Sequence, residues 1–348
     1  MESSLSWKQV LNVALGLAAV TTLALAPEQT SQAEAEFVMN FGTPAPKGTP
    51  WSDQLEGIKK RVETGTNGRM KIKLFLGSSL GGEVEMMEDL VVGQRIQGGG
   101  FSTAAIGKAL DLPILELPEL PFLFRSMAEA DVILDDVLYE PVTKALASKG
   151  VTMYAWAENG WRNFGTNGGP ARSPAELAKF KMRAQESSVH LDMYKALGVQ
   201  AVQKPLSEVV PSLNTGIVAG FDNTPLFSLA AGWIGPITHY NLSRHIYQPA
   251  AVVYNKAFVD ALPADVREKL LADPKGEAAK GRKSVRELED ALLEQIKGMG
   301  KEVVELTDEE RGSFRQACRK QVHTQFLGSH PELQGVYGEV KTKLQTLR

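Results

Sequence analysis

Residues 36–348 read as an α/β protein of two lobes, and three observations predict this. Short runs with strand character alternate with segments whose apolar residues fall at helical spacing, the pattern of α/β folds. The chain beyond residue 35 is about 313 residues long, past the size at which one hydrophobic core stops growing. No period of roughly 20–50 residues recurs, which excludes a solenoid.

The first 35 residues stand apart. Residues 10–26 carry no charge, follow Lys8 and precede an A-x-A sequence at Ala33-Glu34-Ala35, the layout of a signal peptide. The run is 17 residues long and contains Asn12, Thr21 and Thr22, short of the roughly 20 apolar residues that span a bilayer. The competing reading is a retained anchor; with no Cys after the run, a lipoprotein is disfavoured. Removing residues 1–35 takes away Lys8 and three acids, leaving 37 basic against 38 acidic side chains. That balance offers no field for nucleic acid or anionic lipid. The one cysteine, Cys318, rules out an intrachain disulfide or paired-cysteine metal site. Export without disulfides fits the periplasm.

Along the remaining chain, residues 37–41 read as a first strand. The Gly/Pro-rich turn at 42–50 opens a helix over 51–64, with Trp51, Leu55, Ile58 and Val62 on one face. Residues 70–76 alternate lysine with apolar residues and predict a half-exposed strand. A helix follows over 83–94. The Gly-rich 97–102 reads as a flexible approach to a further strand or turn, and the proline-punctuated 112–124 as buried irregular chain. Helices over 127–148 lead to a strand at 151–156. Residues 163–166 and 179–183 read as strands, and Ser173-Pro174 as a helix start. A helix over 189–197 and a strand at 250–254 follow. After Pro263 the pattern is almost wholly helical, with Leu288, Leu292, Leu293 and Ile296 as one stripe.

Gly77-Ser78-Ser79-Leu80-Gly81 matches the G-x-S-x-G elbow of serine hydrolases, so a secreted hydrolase using Ser79 is the rival function. Its preceding strand alternates as only a partly exposed strand does, whereas an elbow follows a buried one. Ile106-Gly107-Lys108 resembles the end of a P-loop, but Ser102 and Ala109 stand where Gly and Ser/Thr are needed. No metal-ligand spacing occurs, so neither metal nor cofactor is implied. Arg162, beside Trp161, and Arg183 fall at strand or loop boundaries. A guanidinium there presents a planar, permanently charged fork that fits a carboxylate.

Several stretches carry a resemblance: Lys181-Met182-Arg183-Ala184-Gln185-Glu186-Ser187, Leu206-Ser207-Glu208-Val209, residues 213–220 and Asp222-Asn223, with 80–85, 119–124 and 298–310 outside them. Their order and spacing resemble the extracytoplasmic solute receptors of TRAP transporters, the DctP family, over nearly all of the chain beyond residue 35. The resemblance implies the two-lobed periplasmic binding protein fold with hinge crossings and a ligand cleft between the lobes. It assigns 36–158 with 249–290 to lobe I and 159–248 with 291–348 to lobe II. It implies a receptor, not an enzyme, that takes a mono- or dicarboxylate to membrane permease subunits as a monomer or dimer. The family's carboxylate-binding arginine falls on Arg183, its second arginine on Arg162, its amide on Asn223 and its first-lobe acid on Glu83. Phe101, Glu186 and Trp161 complete the candidate set. Phe221-Asp222-Asn223-Thr224 keeps the acid and amide of the family's commoner Gln-Glu-Asn-Pro but delays the proline to Pro225, which bears on which acid is bound. If residues 1–35 are a signal peptide, mass spectrometry of the periplasmic fraction will find a new amino terminus at Glu34 or Glu36. Intact Met1 in the membrane fraction would instead establish the anchor.

Overall fold

The computed structural model describes residues 35–348; apart from Ala35, the expected signal peptide lies outside them. Nine strands form one sheet: β1 Phe37–Gly42, β2 Met70–Phe75, β3 Gly98–Ser102, β4 Val151–Thr166, β5 Met182–Ala184, β6 Ala201–Gln203, β7 Gly220–Asn223, β8 His239–Asn255 and β9 Glu302–Glu305. The order is β2-β1-β3-β8-β4-β7-β5-β6, with β9 also on β8.

Strands β4 and β8, of 16 and 17 residues, pair antiparallel from Val151↔Asn255 to Thr166↔His239. At about 3.3 Å per residue each spans some 50 Å, long enough to belong to both halves. One end carries β3, β1 and β2, joined through β3 to residues 250–254 of β8. The other carries β7, β5 and β6 on residues 163–166 of β4, and β9 on residues 239–242 of β8. The register shifts at 153/155, 158/160 and 162/164, and Gly160 in the middle takes a φ of +100°, which glycine adopts without a Cβ clash. These irregularities bend and twist the shared strands where one half gives way to the other.

Local chemistry explains the flanking elements. Thr49 and Ser52 form a capping box for helix Pro50–Gly65, whose buried face of Trp51, Leu55, Ile58 and Val62 is the one that the spacing predicts. β2 is an edge strand, in keeping with its alternating lysines. Residues 112–124 hold two buried 3₁₀ turns, Pro113–Leu115 and Leu117–Glu119.

Two elements differ from expectation. The Gly-rich stretch is the packed inner strand β3, not a flexible approach. A Cβ on Gly98 would stand 2.6 Å from Phe41 Cδ2 and 2.8 Å from Met39 Sδ, so glycine there reflects crowding. The carboxyl-terminal helix, Gln334–Leu347, packs on residues 133–138 of the first half, although 291–348 was assigned to lobe II. Its apolar Val340 and Leu344 join a core cluster shared with Ile133 and Leu134. The preceding helix, Asp308–Ser329, packs on helix Ser188–Ala196 of the second half. It also reaches the first half through His323 Nε2 to Pro121 O at 2.9 Å.

Gly98→Ala will therefore destabilise the fold by about 1–3 kcal/mol, the usual cost of overpacking. Gly57→Ala, where a helical Cβ meets nothing within 4 Å, will be stabilising by about 0.5–1 kcal/mol. Urea unfolding of the two variants checks both signs.

Candidate functional site

In parallel α/β sheets a ligand crevice opens beyond the carboxyl ends of the strands. Here Thr43 follows β1, Ser102 ends β3, Gln185 follows β5 and Asn223 ends β7. All four line one cavity with Trp51, Glu83 and Phe101 from the first half, Leu206 and Phe227 from the second, and Asn159 and Gln248 from the shared strands. The cavity holds about 630 Å³ of space free of protein atoms, its open mouth included.

Glu83 begins helix Glu83–Val92 and accepts hydrogen bonds from Ser102 N at 2.8 Å and Ser102 Oγ at 3.2 Å. Burial raises its carboxyl above the ordinary range, despite those bonds. Gln185 Nε2 donates to Ser102 Oγ at 3.0 Å, a bond from the second half to the first. Gln248 Nε2 donates to Gln185 Oε1 at 2.9 Å and to Glu119 Oε2 at 2.8 Å, and His190 Nε2 lies 2.8 Å from the same Glu119 oxygen.

The two arginines have opposite surroundings. Arg162 is fully buried; its Nε donates to Asp222 Oδ2 at 2.5 Å and its Nη2 to Asp222 O. Its Nη1 donates to Gln248 Oε1 at 2.7 Å and Gln185 Oε1 at 2.9 Å, with Asn223 Oδ1 at 3.5 Å. Burial alone would raise the Asp222 carboxyl, but Arg162, then His245 and His190, hold it well below the usual carboxylate range. Tyr194 also donates to Asp222 Oδ1 at 2.8 Å. Arg183, on β5, is just as buried, yet only its Nε has a partner, Lys204 O at 2.9 Å. Its Nη1 is buried without one. Its guanidinium lies 5.1 Å from the Trp233 ring centroid, a favourable cation–π contact that leaves the charge unneutralised. Burial first, and Arg162 second, lower its pKa to about 10, so it is still a cation at neutral pH.

Arg183 pairs with Phe221 in the β5–β7 register. Gln185 and Asn223 lie two residues further on, hence on the same side of the sheet. Trp233, under Arg183, meets Phe227 edge to face at 5.4 Å, and Phe227 lines the cavity. Arg183 thus sits one layer behind the cavity wall, and Arg162 behind Gln185, Asn223 and Gln248.

Of the seven candidate residues, the structure brings Glu83, Phe101 and Asn223 to the cavity surface, with Arg162 and Arg183 behind it. Glu186 is half-buried and off the lining. Trp161 packs edge to face on Tyr247 at 5.5 Å and borders other, separate cavities. Sequence reasoning missed Gln248, Asn159, Thr43 and Trp51 as liners. Gln248 lies in a stretch of β8 whose strand character had no signal beyond 250–254.

Ser79 is exposed on a turn after the edge strand β2. His190, His239, His245, His323 and His330 lie against Glu119, Glu302, Asp222, Pro121 O and Glu332. No base accompanies Ser79 among the described residues.

A cleft between two α/β halves, closed by polar side chains of both, defines a two-lobed binding protein. The family model for bacterial extracellular solute-binding protein, family 7 (DctP), matches residues 41–328, and the chain belongs to that family. The 2,3-diketo-L-gulonate-binding periplasmic protein YiaO of Escherichia coli is 28% identical over 326 residues, 91% of this chain and 92% of that one. The C4-dicarboxylate-binding periplasmic protein DctP of Rhodobacter capsulatus is 30% identical over 304 residues, covering 86% and 89%. A TRAP periplasmic solute-binding protein of Polaromonas, solved bound to D-erythronate, is 27% identical with a TM-score of 0.81, covering 88% of this chain and 98% of that one.

Because the Glu83 carboxyl is raised in the fold, its contribution is most favourable below the ordinary carboxylate range, about pH 4. It is lost as pH rises through the raised value. The stability of the wild type relative to Glu83→Gln will therefore fall between about pH 4 and the raised value, and thermal melts of both across that range will read it.

Proposed function

We propose that this chain is an exported receptor that encloses a small organic acid between its two halves and delivers it to a membrane permease. The observation that carries the reading is the unpartnered Nη1 of Arg183, a buried cation beside a cavity that both halves line. Burying a charge without a counter-ion is costly. A ligand carboxylate, reached as the halves close over it, supplies the missing partner and removes that cost. Glu83, Asn223, Gln185 and Gln248 offer hydrogen-bonding groups for the rest of the ligand, and Phe101, Trp51 and Phe227 its apolar walls, the mixture typical of small-molecule sites. Membership of the DctP family supports the same reading, as do the ligands named for the relatives above. The apolar run at 10–26 supports export.

A ligand that binds only the folded state raises the melting temperature, so a thermal-shift screen of organic acids will find one. Arg183→Met will then weaken its binding at least about 30-fold, since truncating one partner of a buried charge pair costs about 2–5 kcal/mol and each 1.4 kcal/mol is tenfold. The same substitution will leave the empty protein no less stable, because it removes an unpaired buried charge while keeping an apolar stem. An Arg183→Met protein that binds like the wild type would remove Arg183 from the site.

A further inference from the structure

We infer that Asp222, by occupying Arg162, makes the cleft select hydroxylated acids with a single carboxylate over their dicarboxylate counterparts. The inference rests on the receptor reading and names its ligand class. Two arginines lie behind the cavity wall, so a dicarboxylate would appear well served. The hydrogen bonds of Arg162 leave it little to offer a ligand. A guanidinium has five N–H donors, and four of those on Arg162 are taken by Asp222 Oδ2, Asp222 O, Gln185 and Gln248. Its charge is matched by an Asp222 carboxylate with no exposed surface. Recruiting Arg162 to a ligand would strand Asp222, buried and short of its cation.

What remains for the ligand is the one unpartnered guanidinium of Arg183 and a lining poor in charge. Among the described residues that line the cavity, Glu83 is the only ionisable one. The other polar liners are the amides of Gln54, Asn159, Gln185, Asn223 and Gln248, and the hydroxyls of Thr43 and Ser102. Amides and hydroxyls both donate and accept, which suits ligand hydroxyl groups. A second carboxylate would meet no cation and would approach an acid, a desolvated and uncompensated charge. The pair thus works by exclusion: neutral polar walls accept hydroxyls and penalise a second anion.

Matched pairs on one carbon skeleton isolate the second charge. Calorimetry of the purified protein with D-erythronate against meso-tartrate, and with D-gluconate against D-glucarate, should show the monocarboxylate at least about tenfold tighter in any pair that binds. Equal or tighter binding of the dicarboxylate would overturn the inference and leave the receptor reading standing. If neither these four compounds nor a wider organic-acid panel binds or raises the melting temperature, the receptor reading falls and the inference with it. Asp222→Asn, which frees one bond and the charge of Arg162, should shift the ratio toward the dicarboxylate at least about tenfold. A folded variant with an unchanged ratio would overturn the role of Asp222. Should the variant fail to fold, the wild-type ratios alone decide whether the selectivity exists.

Discussion

The antiparallel pairing of β4 and β8 is the constraint on which the rest depends. Each strand runs through both halves, so the centre of the pair lies where a single-lobe sheet would already have ended. Side chains from that centre face a cleft instead of a core, and Asn159, Gln248 and the buried Arg162 all come from it. A polar residue in a central strand is tolerable only if its groups are satisfied, which is why the middle of this sheet holds a connected network in place of a hydrophobic seam. Gln185, Asn223 and Gln248 of this network also line the cavity, so the bonds that hold the centre of the sheet hold part of the cavity wall.

Arg162, within the network, contrasts with Arg183 beside it. The first is neutralised by Asp222 and held by two amides, and it organises the ends of β4, β7 and β5. The second is equally hidden from water yet short of partners. An evolved core would not retain such a group for stability, since an apolar side chain of similar length would cost less. On the proposed reading of the site, that cost is recovered when a ligand carboxylate binds.

Much of this was legible in the sequence because the signals were local. The helix over 51–64 declares itself through its spacing, and the half-exposed strand at 70–76 through its alternating lysines. Motif order and resemblance single out Arg183, Arg162, Asn223 and Glu83; the structure puts Asn223 at the end of β7 and Glu83 at the start of helix Glu83–Val92, but both arginines inside strands rather than at their boundaries. What was not legible depends on distant contacts. The glycines of β3 looked flexible because sequence does not reveal that Phe41 and Met39 occupy the space of a side chain. Asp222 gave no sign that it would claim Arg162 from 60 positions away, and Trp161, adjacent to Arg162 in sequence, points to the opposite side of its strand. The carboxyl-terminal helix carries no local sign of which half it joins; its apolar Val340 and Leu344 find their complement in Ile133 and Leu134.

That last helix has a consequence for how the two halves move. Two adjacent strands on their own make a ribbon, which twists about its long axis as readily as it bends. Here the chain returns: after the helix Asp308–Ser329 has packed on the second half, Gln334–Leu347 clasps the first. Arg348, the final residue, donates to Glu129 and to the carbonyl of Leu123. Such a tie lies away from the ribbon's long axis, and there it resists a twist of one half against the other more than it resists a bend.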